Sequence, residues 1–498
     1  MSFWGYMIPS FGSLQVILLA VLCVIATLVL CGRPRNLPPG PRGLPIVGNA
    51  LSIMKDSSAY AKLSKKYGDV FTVYFGPRRV VVLNGYAAIH EALVKNAENF
   101  SSRPLGQAFF SADGKTLGIA DESYGPKWKE HRKFAMMSLR DFGVGKKSLE
   151  GKILEEARAL GDEICKTNGR PFCISQMMQN AVSNVICSIV FGSRYEYDDM
   201  VFKSLLKAIQ RVFGRKMVEF LAEQLPPLKV LPGVRKNYQD LMQSQAKIMD
   251  HIKERIREHE DTFDPNDIRD FIDAFLLESN KRQTDENNTF TEQELATIVY
   301  QLFLAGTDTT ATTLRWALLY MILHPDIQEK VQQEIDSVLG PNQEPAMAHR
   351  SQMPYTEATL TEVSRHATVA PHTIQHATSN DTTFRGYNIP KGTVVEVILW
   401  SVHHDPNLWP EPDKFDPNRF IDDAGKYVKR EGVIPFSLGR RVCLGEQLAR
   451  MELFLIFTSL LQRFTFKLPE GAPKPSEKGV PGPLHQPVPF MLIAEPRE

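Results

Sequence analysis

A single cysteine, in a short run rich in glycine and arginine, is the residue best placed to do chemistry. Residues 435–446 read PFSLGRRVCLGE, where Gly439 and Gly445 flank Cys443 and Arg441 lies two residues before it. Glycine permits a close backbone approach to a flat partner, and arginine can pair with an anion. The helical periodicity after the loop places Cys443 just before a helix N-terminus, where a thiolate is favoured. A thiolate in such a loop can ligate a haem iron, whereas an isolated cysteine is usually a small core residue.

A second candidate site lies in the middle of a long apolar segment. The segment TFTEQELATIVYQLFLAGTDTTATTLRWALLYMILHP has Thr291 and Glu294 in capping-box spacing and ends at Pro325. It predicts a buried helix of roughly 50 Å, long enough to cross a domain. Its centre, residues 305–310, is small and polar, and Gly306 costs a helix about 1 kcal/mol relative to alanine. A group that binds against this part of the helix would account for these residues.

The remaining elements place these two sites in one mixed domain. VFTVYFGPRRVVVLNGY, residues 70–86, predicts a β-hairpin around a Gly-Pro turn, and most of the chain then reads as helix to about residue 370. Short strand patterns such as FRGYNIP and TVVEVILW come after it. Strands at both ends of a long helical middle predict a mainly α fold with small β-sheets, of the α+β class.

The composition narrows the class of protein. The chain has 498 residues with 58 basic and 57 acidic side chains, so bulk charge gives no reason to expect a nucleic-acid partner. There are only 6 cysteines and no C-x-x-C pair. So few cysteines argue against a disulfide scaffold and fit a reducing compartment.

The first residues differ from the rest of the chain. Residues 1–32 carry no charged side chain, and RPR comes next at residues 33–35. We therefore expect residues 1–33 to be a transmembrane anchor, and the positive-inside bias places the rest of the chain in the cytosol. A cleaved signal peptide fits less well because the basic residues come after the apolar run. The prolines of residues 34–49 predict a stiff hinge, and residues 50–498 form the catalytic domain.

The cysteine region resembles the haem-binding signature of the cytochrome P450 monooxygenases, F-x-x-G-x-R-x-C-x-G. The matching residues are Phe436, Gly439, Arg441, Cys443 and Gly445. Five fixed positions make this a specific match. The apolar N-terminus followed by prolines resembles the microsomal members, and the wording of the last 150 residues is most similar to the family 2 branch.

Other segments resemble marks of the same family, in the family's order. EVSR resembles the E-x-x-R motif through Glu362 and Arg365, and FDPNRF resembles the P-E-R-F element through Arg419. WKEHR resembles the W-x-x-x-R motif through Trp128 and Arg132, and AGTDT resembles the oxygen-activating part of the central helix. Singly, each could be an ordinary surface pair, cation–π contact or helix cap. Together, in order, they support the family.

The resemblance implies a role for each matching residue. Cys443 would be the iron ligand, with Phe436 packed near the sulfur. Asp308 and Thr309 would deliver protons through water, and Ala305 and Gly306 would leave room for oxygen. The residues expected to bind the haem and its propionates, besides Cys443 and Phe436, are Arg103, Trp128, Arg132, His376, Gly439, Arg441 and Gly445. Glu362, Arg365 and Arg419 would support the cysteine loop.

Two positions depart from the family pattern. Gln375 precedes His376 where this branch often has proline, which puts the contact of His376 with a propionate in question. Asn418 occupies the place of the P-E-R-F glutamate and should affect packing only.

The resemblance also implies partners and a location. No glycine motif for a phosphate or dinucleotide is complete, so electrons must come from another protein, NADPH–cytochrome P450 reductase, with cytochrome b5 as a second partner. Membrane lipid and an apolar small molecule complete the expected partners, and the endoplasmic reticulum membrane is the expected location. A basic face for an acidic reductase would comprise Lys133, Lys146, Lys147, Lys429, Arg430 and Arg440.

The sequence leaves the substrate and rival functions open. The substrate pocket is expected from residues 104–126, 205–235, 298–309, 369–376 and 484–491, with Gln301 and His372 as polar groups. Fatty acids, steroids and xenobiotics fit such an apolar pocket equally well. A haem-thiolate isomerase or dehydratase without a reductase is one alternative, and a non-catalytic haem-binding protein is another. Asp308 and Thr309 argue against the isomerase, because it needs no proton delivery.

Overall fold

The computed structural model describes residues 36–44, 47–53, 59–76, 78–104, 117–224, 226–340 and 343–497, together with residues 15, 18, 21 and 22. Apart from those four residues, which are helical and exposed, the anchor predicted at residues 1–33 lies outside the described residues. Among the described helices, none has the length and apolarity needed to span a bilayer.

Helices make up most of the described chain, as expected for a mainly α fold. In order they are α1 Ala50–Ile53, α2 Ala59–Tyr67, α3 Tyr86–His90, α4 Ala97–Phe100, α5 Pro126–Asp141, α6 Lys147–Cys165, α7 Ser175–Val190, α8 Met200–Phe213, α9 Met217–Gln224, α10 Pro232–Asp261, α11 Phe271–Lys281, α12 Glu292–Leu323, α13 Pro325–Leu339, α14 Pro354–Ala367, α15 Trp400–His403 and α16 Glu446–Arg463. Short 3₁₀ turns join several of them, and a π-helical turn spans Glu91–Lys95.

Three small sheets accompany the helices. The strands are β1 Val70–Phe75, β2 Arg78–Asn84, β3 His376–Ala377, β4 Thr382–Phe384, β5 Tyr387–Ile389, β6 Val394–Ile398, β7 Phe464–Lys467 and β8 Ile493–Pro496. The largest sheet has the order β1-β2-β6-β3, in which β1 and β2 form the predicted hairpin and β6 runs parallel to β2. The other sheets are the pairs β4-β5 and β7-β8.

Helix α12 lies at the centre of the fold. It packs against α7, α10, α14 and α16, and side chains on all of its faces belong to the main hydrophobic core. The predicted start is confirmed, because the Thr291 hydroxyl accepts a hydrogen bond from the N–H of Glu294 at 3.3 Å. The Glu294 carboxylate does not complete a capping box; it accepts from the N–H of Gly118 instead. The α+β class predicted from the sequence is thus confirmed for the described residues.

The proline-rich segment is attached to the sheet rather than free. The backbone N–H of Thr72 in β1 donates to the carbonyl of Pro39 at 2.7 Å, and its hydroxyl donates to the carbonyl of Pro38 at 2.9 Å. The N–H of Asn388 in β5 donates to the carbonyl of Asn36 at 2.9 Å. Proline has no N–H to contribute, yet its carbonyl still accepts, so the described part of the segment is bound to edge strand β1 of the largest sheet and to β5 of a separate sheet.

Candidate functional site

The cysteine loop is closed by its own backbone and fitted against a neighbouring turn. The N–H of Cys443 donates to the carbonyl of Phe436 at 2.9 Å. Gly439 has φ of +76°, and a Cβ there would lie 2.0 Å from the carbonyl oxygen of Leu93 in the π-helical turn. Gly439 is therefore required for close packing of the loop on that turn, and the reason lies in the protein backbone.

The Cys443 thiol is accessible although it lies among many protein atoms. The residue is exposed, while burial raises the pKa of its thiol. A hydrogen bond from the N–H of Gly445 and the charge of Arg132 act in the opposite direction. Accessibility and burial are compatible if the sulfur opens into an interior space. The sequence predicted that the loop itself favours the thiolate, but burial raises the pKa of the Cys443 thiol. A bound metal cation would favour the thiolate.

Three arginines, Arg103, Arg132 and Arg441, form what we call the cation cluster beside this loop. Arg441 is buried and donates to three main-chain carbonyls at 2.6–3.0 Å. Burial, followed by repulsion from Arg103 and Arg132, lowers the pKa of Arg441 to about 8. Because a guanidinium keeps its proton in proteins, this lowering means that the charge is held at an energetic cost that a nearby anion would relieve.

The other two members of the cation cluster are also bound to main-chain carbonyls. Arg103 donates to Ala120 at 2.7 Å, and burial lowers its pKa to about 10 despite the opposing charge of Asp121. Arg132 donates to the carbonyl of Val442 at 2.6 Å, directly before Cys443. The cluster therefore lies next to the sulfur.

The Trp128 ring lies near two of these guanidiniums. The Arg441 guanidinium carbon is 4.2 Å and that of Arg132 is 5.5 Å from the ring centroid. The indole N–H donates to the carbonyl of Ile119 at 3.1 Å. The structure thus brings Trp128, Arg132 and Arg441 together around the cysteine loop, as the resemblance implied.

His376 lies close to the cation cluster. Its Nδ1 bonds to the carbonyl of Phe100 at 2.7 Å, and burial together with Arg103 lowers its pKa well below the usual range. The Gln375 carbonyl accepts from Arg103 at 2.9 Å, and its side chain donates to buried Glu396 at 2.6 Å. The Gln375 side chain therefore donates to a buried carboxylate, while its backbone carbonyl accepts from an arginine of the cation cluster.

The centre of helix α12 presents both filled and open positions. A Cβ at Gly306 would lie 3.0 Å from Ile186 of α7, so this glycine is explained by close helix packing. Ala305 is exposed and Thr309 is half-buried on the same helix face, since they are four residues apart. The Thr309 hydroxyl donates to the carbonyl of Ala305 at 2.7 Å. An accessible face in the middle of an otherwise buried helix fits a bound group.

The Asp308 side chain contacts two glutamine side chains, whereas the Thr309 hydroxyl contacts the helix backbone. Its two carboxylate oxygens accept from the amides of Gln179 and Gln486, each at 3.4 Å, and the residue is buried. Burial raises the pKa of Asp308 to about 6, with Arg315 acting weakly in the opposite direction. A carboxyl with this pKa can take up and release a proton near neutral pH.

The expected ion-pair triad is present and fully buried at its centre. Arg365 donates to both oxygens of Glu362 at 2.7 Å, and Arg419 lies 3.4 Å from the same carboxylate. Arg365 also donates to the carbonyls of His403 and Pro412 at 2.7 and 2.9 Å. The triad therefore fastens helix α14 to the chain that leads to the cysteine loop. The Asn418 side chain donates to neighbouring Asp416 at 2.8 Å, outside the triad.

Two polar residues expected to line the substrate pocket make contacts within the protein. Gln301 is buried and its amide binds the backbone of residues 117–120. His372 lies 3.2 Å from Glu396. Sequence reasoning missed these contacts, as it missed Gln179 and Gln486 beside Asp308, because each joins segments that are distant in sequence.

The described residues fit a flat, dianionic, iron-containing cofactor such as haem. An accessible thiol offers one ligand, the neighbouring cation cluster offers the positive charge that two carboxylates require, and helix α12 has an accessible face at its centre.

Comparison with known proteins agrees with this geometry. The family model described as Cytochrome P450 matches residues 38–494. The chain is 42% identical over 494 residues to cytochrome P450 2U1 of Homo sapiens, covering 93% of this chain and 90% of the relative. It is 43% identical over 468 residues to cytochrome P450 2D26 of Rattus norvegicus (92% and 93%). It is 42% identical over 473 residues to cytochrome P450 2J2 of Homo sapiens (93% and 92%).

The chain therefore belongs to the cytochrome P450 family, and the resemblance seen in the sequence is confirmed. It is a monooxygenase of the oxidoreductase class, its cofactor is haem b, and its electrons are supplied by a reductase.

Proposed function

We propose that this protein inserts one atom of O₂ into an apolar organic substrate, using electrons from NADPH that a membrane-bound reductase delivers. The arrangement that carries the proposal is the accessible thiol of Cys443 beside the cation cluster, in a chain of this family. Haem, when bound, supplies the activation of oxygen, and the protein supplies binding, orientation and protons.

The proximal residues would hold the cofactor. Cys443 would ligate the iron, and Gly445 already donates an N–H toward the sulfur. Phe436 would pack beside it and tune its donation, because groups around a ligand adjust its basicity. The propionates would bind to the cation cluster, with Trp128 beside two guanidiniums and with His376, whose pKa an adjacent carboxylate would raise.

The distal residues would handle protons. Thr309 presents a hydroxyl on the accessible face of helix α12, with Ala305 leaving space beside it, whereas Gly306 packs against Ile186 of α7. Asp308 would hold a proton on its carboxylate and pass it on through water, which its pKa of about 6 allows near neutral pH. In the structure Gln179 and Gln486 hold this carboxylate, so it must turn to act.

The surface around helix α5 suits an acidic flavoprotein partner. Five of the six basic residues expected there, namely Lys133, Lys146, Lys147, Lys429 and Arg430, are exposed, whereas Arg440 is half-buried and pairs with Glu98 at 2.9 Å. Met136 and Met137 are exposed beside Lys133 and add apolar contact area. We propose NADPH–cytochrome P450 reductase, and cytochrome b5 as a second donor, as the proteins that bind this face.

We further propose that residues 1–33 anchor the protein in the endoplasmic reticulum membrane with the catalytic domain in the cytosol. The support is the uncharged run followed at once by RPR. An apolar substrate that partitions into lipid would be concentrated at the same surface. Fatty acids, steroids and xenobiotics remain equally supported by the residues.

One reconstitution experiment tests the proposed function. The purified protein is loaded with haem, reduced, and examined for the carbon monoxide difference band of a thiolate-ligated iron; it is then combined with reductase and NADPH and screened against lipids and xenobiotics. We expect the band, an oxygenated product and NADPH dependence. Cys443→Ala should lose both band and activity, and Thr309→Ala should keep the band but divert electrons to peroxide.

The same experiment separates the rival functions. Product formation from a peroxide substrate without NADPH would identify an isomerase or dehydratase. A normal band without turnover of any substrate would identify a haem-binding protein. Unchanged coupling in Thr309→Ala would exclude the assigned proton delivery.

A further inference from the structure

The short segment 117–120 is bound by the central helix through its N–H groups. The Gln301 Oε1 accepts from the N–H of Ile119 at 2.8 Å and from that of Ala120 at 2.9 Å, while its Nε2 donates to the carbonyl of Leu117 at 3.0 Å. Gln301 is only 5% exposed, so these bonds form away from water. The Gln301 amide thus makes the donor and acceptor contacts that a neighbouring β-strand would otherwise make with this segment.

A second side chain of helix α12 completes this attachment. The Glu294 carboxylate accepts from the N–H of Gly118 at 2.8 Å and also pairs with Lys127. Gly118 has φ of +75°, and a Cβ there would lie 2.5 Å from Gln301 Oε1. The segment therefore runs close to the helix, with glycine where no side chain fits.

The carbonyl groups of the same segment face the candidate haem site. The Ile119 carbonyl accepts from the Trp128 indole at 3.1 Å and from Arg441 at 3.0 Å. The Ala120 carbonyl accepts from Nε of Arg103 at 2.7 Å. The N–H groups of segment 117–120 thus donate to side chains of helix α12, and its carbonyls accept from arginines of the cation cluster.

We propose that Gln301 is a positioning residue for cofactor binding: through segment 117–120 it fixes the guanidiniums of Arg103 and Arg441 and the indole of Trp128 toward the haem propionates. The inference rests on the proposed cofactor site and deepens it. It assigns Gln301 to the cofactor rather than to substrate.

The bonding capacity of Gln301 supports this assignment. Both lone pairs of Oε1 are occupied by the N–H groups of Ile119 and Ala120, and one N–H of the amide is occupied by Leu117. Only one N–H of the Gln301 amide is left to bind a substrate. Removing the side chain would leave two buried backbone N–H groups without an acceptor, which lowers the stability of the folded protein.

A matched control exists in helix α13. Gln328 is also buried, and its amide binds a backbone in the same way: its Oε1 accepts from the N–H of Phe466 at 2.8 Å, and its Nε2 donates to the Phe466 carbonyl at 3.0 Å. Strand β7, which it holds, carries none of the candidate site residues. Gln328→Leu therefore removes an equivalent contact at a place that should not influence the cofactor.

The test measures haem loss from the loaded full-length protein to an excess of an apo-globin acceptor, together with hydrogen exchange of peptides that span residues 117–120. We expect Gln301→Leu to lose haem about tenfold faster and to expose those amides, because two buried N–H groups lose their acceptor. Gln301→Glu retains both acceptor sites and should recover most of the wild-type rate. Gln328→Leu should leave haem loss and this exchange unchanged, although its unfolding midpoint falls.

The outcomes separate this inference from the proposed function. If wild-type protein loads haem and Gln301→Leu releases it at the wild-type rate, the positioning role is overturned, whatever the hydrogen exchange shows. If Gln301→Leu does not fold, Gln301→Glu and Gln301→Asn decide: equal rates in both and in wild type overturn the proposal, and a faster rate in the shorter Asn supports it. Failure of the wild-type protein to bind haem would overturn the proposed function itself.

Discussion

Two groups of arginines beside the cysteine loop solve the burial of positive charge in opposite ways. In the triad, Arg365 donates to both oxygens of Glu362, and neither side chain is exposed. In the cation cluster, Arg441 donates only to neutral carbonyls and lies near two further guanidiniums, and its pKa is lowered to about 8. In the triad a carboxylate of the chain contacts the guanidiniums directly. In the cation cluster the charges of Glu122 and Asp121 oppose the lowering of the pKa of Arg441 without overcoming it, so an added anion would relieve the remaining cost.

The difference separates fold support from ligand binding among residues of the same type. A buried charge whose partner is a side chain of the chain stabilises the fold, and removing one partner leaves the other unpaired. A buried charge that is satisfied only by carbonyls is maintained at a cost, which is the signature of a site prepared for a ligand. Substitutions in the two groups should therefore differ in their effects on stability and on cofactor binding.

The largest effect is expected at the triad. Arg365→Ala leaves the Glu362 carboxylate buried with Arg419 as its remaining arginine, and we expect a loss of about 3–5 kcal/mol in the free energy of unfolding. Denaturant unfolding measures this. The control is Arg385→Ala, which removes a partly exposed pair with Glu91 and should cost less than about 1 kcal/mol. Similar losses in the two variants would contradict the comparison.

The cation cluster should lose less stability than the triad. Arg441→Met relieves repulsion with Arg103 and Arg132 but removes a donor from three main-chain carbonyls, so the free energy of unfolding of the haem-free protein should fall by less than about 2 kcal/mol. Haem affinity should fall about tenfold or more, because a buried charge-assisted contact is lost. Unfolding without haem and haem titration measure the two effects. A loss of about 3 kcal/mol or more without haem would place Arg441 with the triad.

The buried pair of His259 and Asp270 adds a third kind of buried charge to the comparison, one whose contribution to stability should depend on pH. His259 lies 2.6 Å from Asp270; burial opposes its charge, but the hydrogen bond and charge of Asp270 prevail and raise its pKa. This stabilisation is fully present below the unfolded pKa of about 6.5 and is lost as pH rises through the raised folded pKa. His259→Gln should cost about 1–3 kcal/mol at pH 6 and less at pH 9. Parallel pH curves for variant and wild type would refute this.

The smallest effect is expected at Asn418, which occupies the place of the P-E-R-F glutamate. Asn418 is exposed and bonds to Asp416, outside the triad. Asn418→Glu should change the free energy of unfolding by less than about 0.5 kcal/mol, as for a surface substitution. Denaturant unfolding checks this, and a gain above about 1 kcal/mol would show that the acid belongs to the triad after all.

Local patterns were enough to predict the elements that form the frame of the site. The hairpin of β1 and β2, helix α12 with its Thr291 cap and helix α16 after Cys443 result from periodicity, turn residues and capping, all of which act within a few residues. The motif residues Trp128, Arg132 and Arg441 also meet in space as the resemblance implied.

Contacts between distant segments could not be predicted in this way. The bond from the Ile119 N–H to Gln301 joins residues 182 positions apart, and Gln301 alone gives no sign of it. The reasons for Gly306 and Gly439 likewise lie in Ile186 and Leu93, which no local pattern connects to them. The sequence indicated that these glycines mattered, but only the packing shows what they make room for.

The attachment of the proline-rich segment has a consequence for how the domain would stand relative to a bilayer. The first described contact of this segment is the carbonyl of Asn36 with the N–H of Asn388. For an anchor that ends at residue 33, residues 34 and 35 alone would separate it from the domain, a reach of about 7 Å when fully extended. So short a tether would keep the domain close to the headgroups of the bilayer.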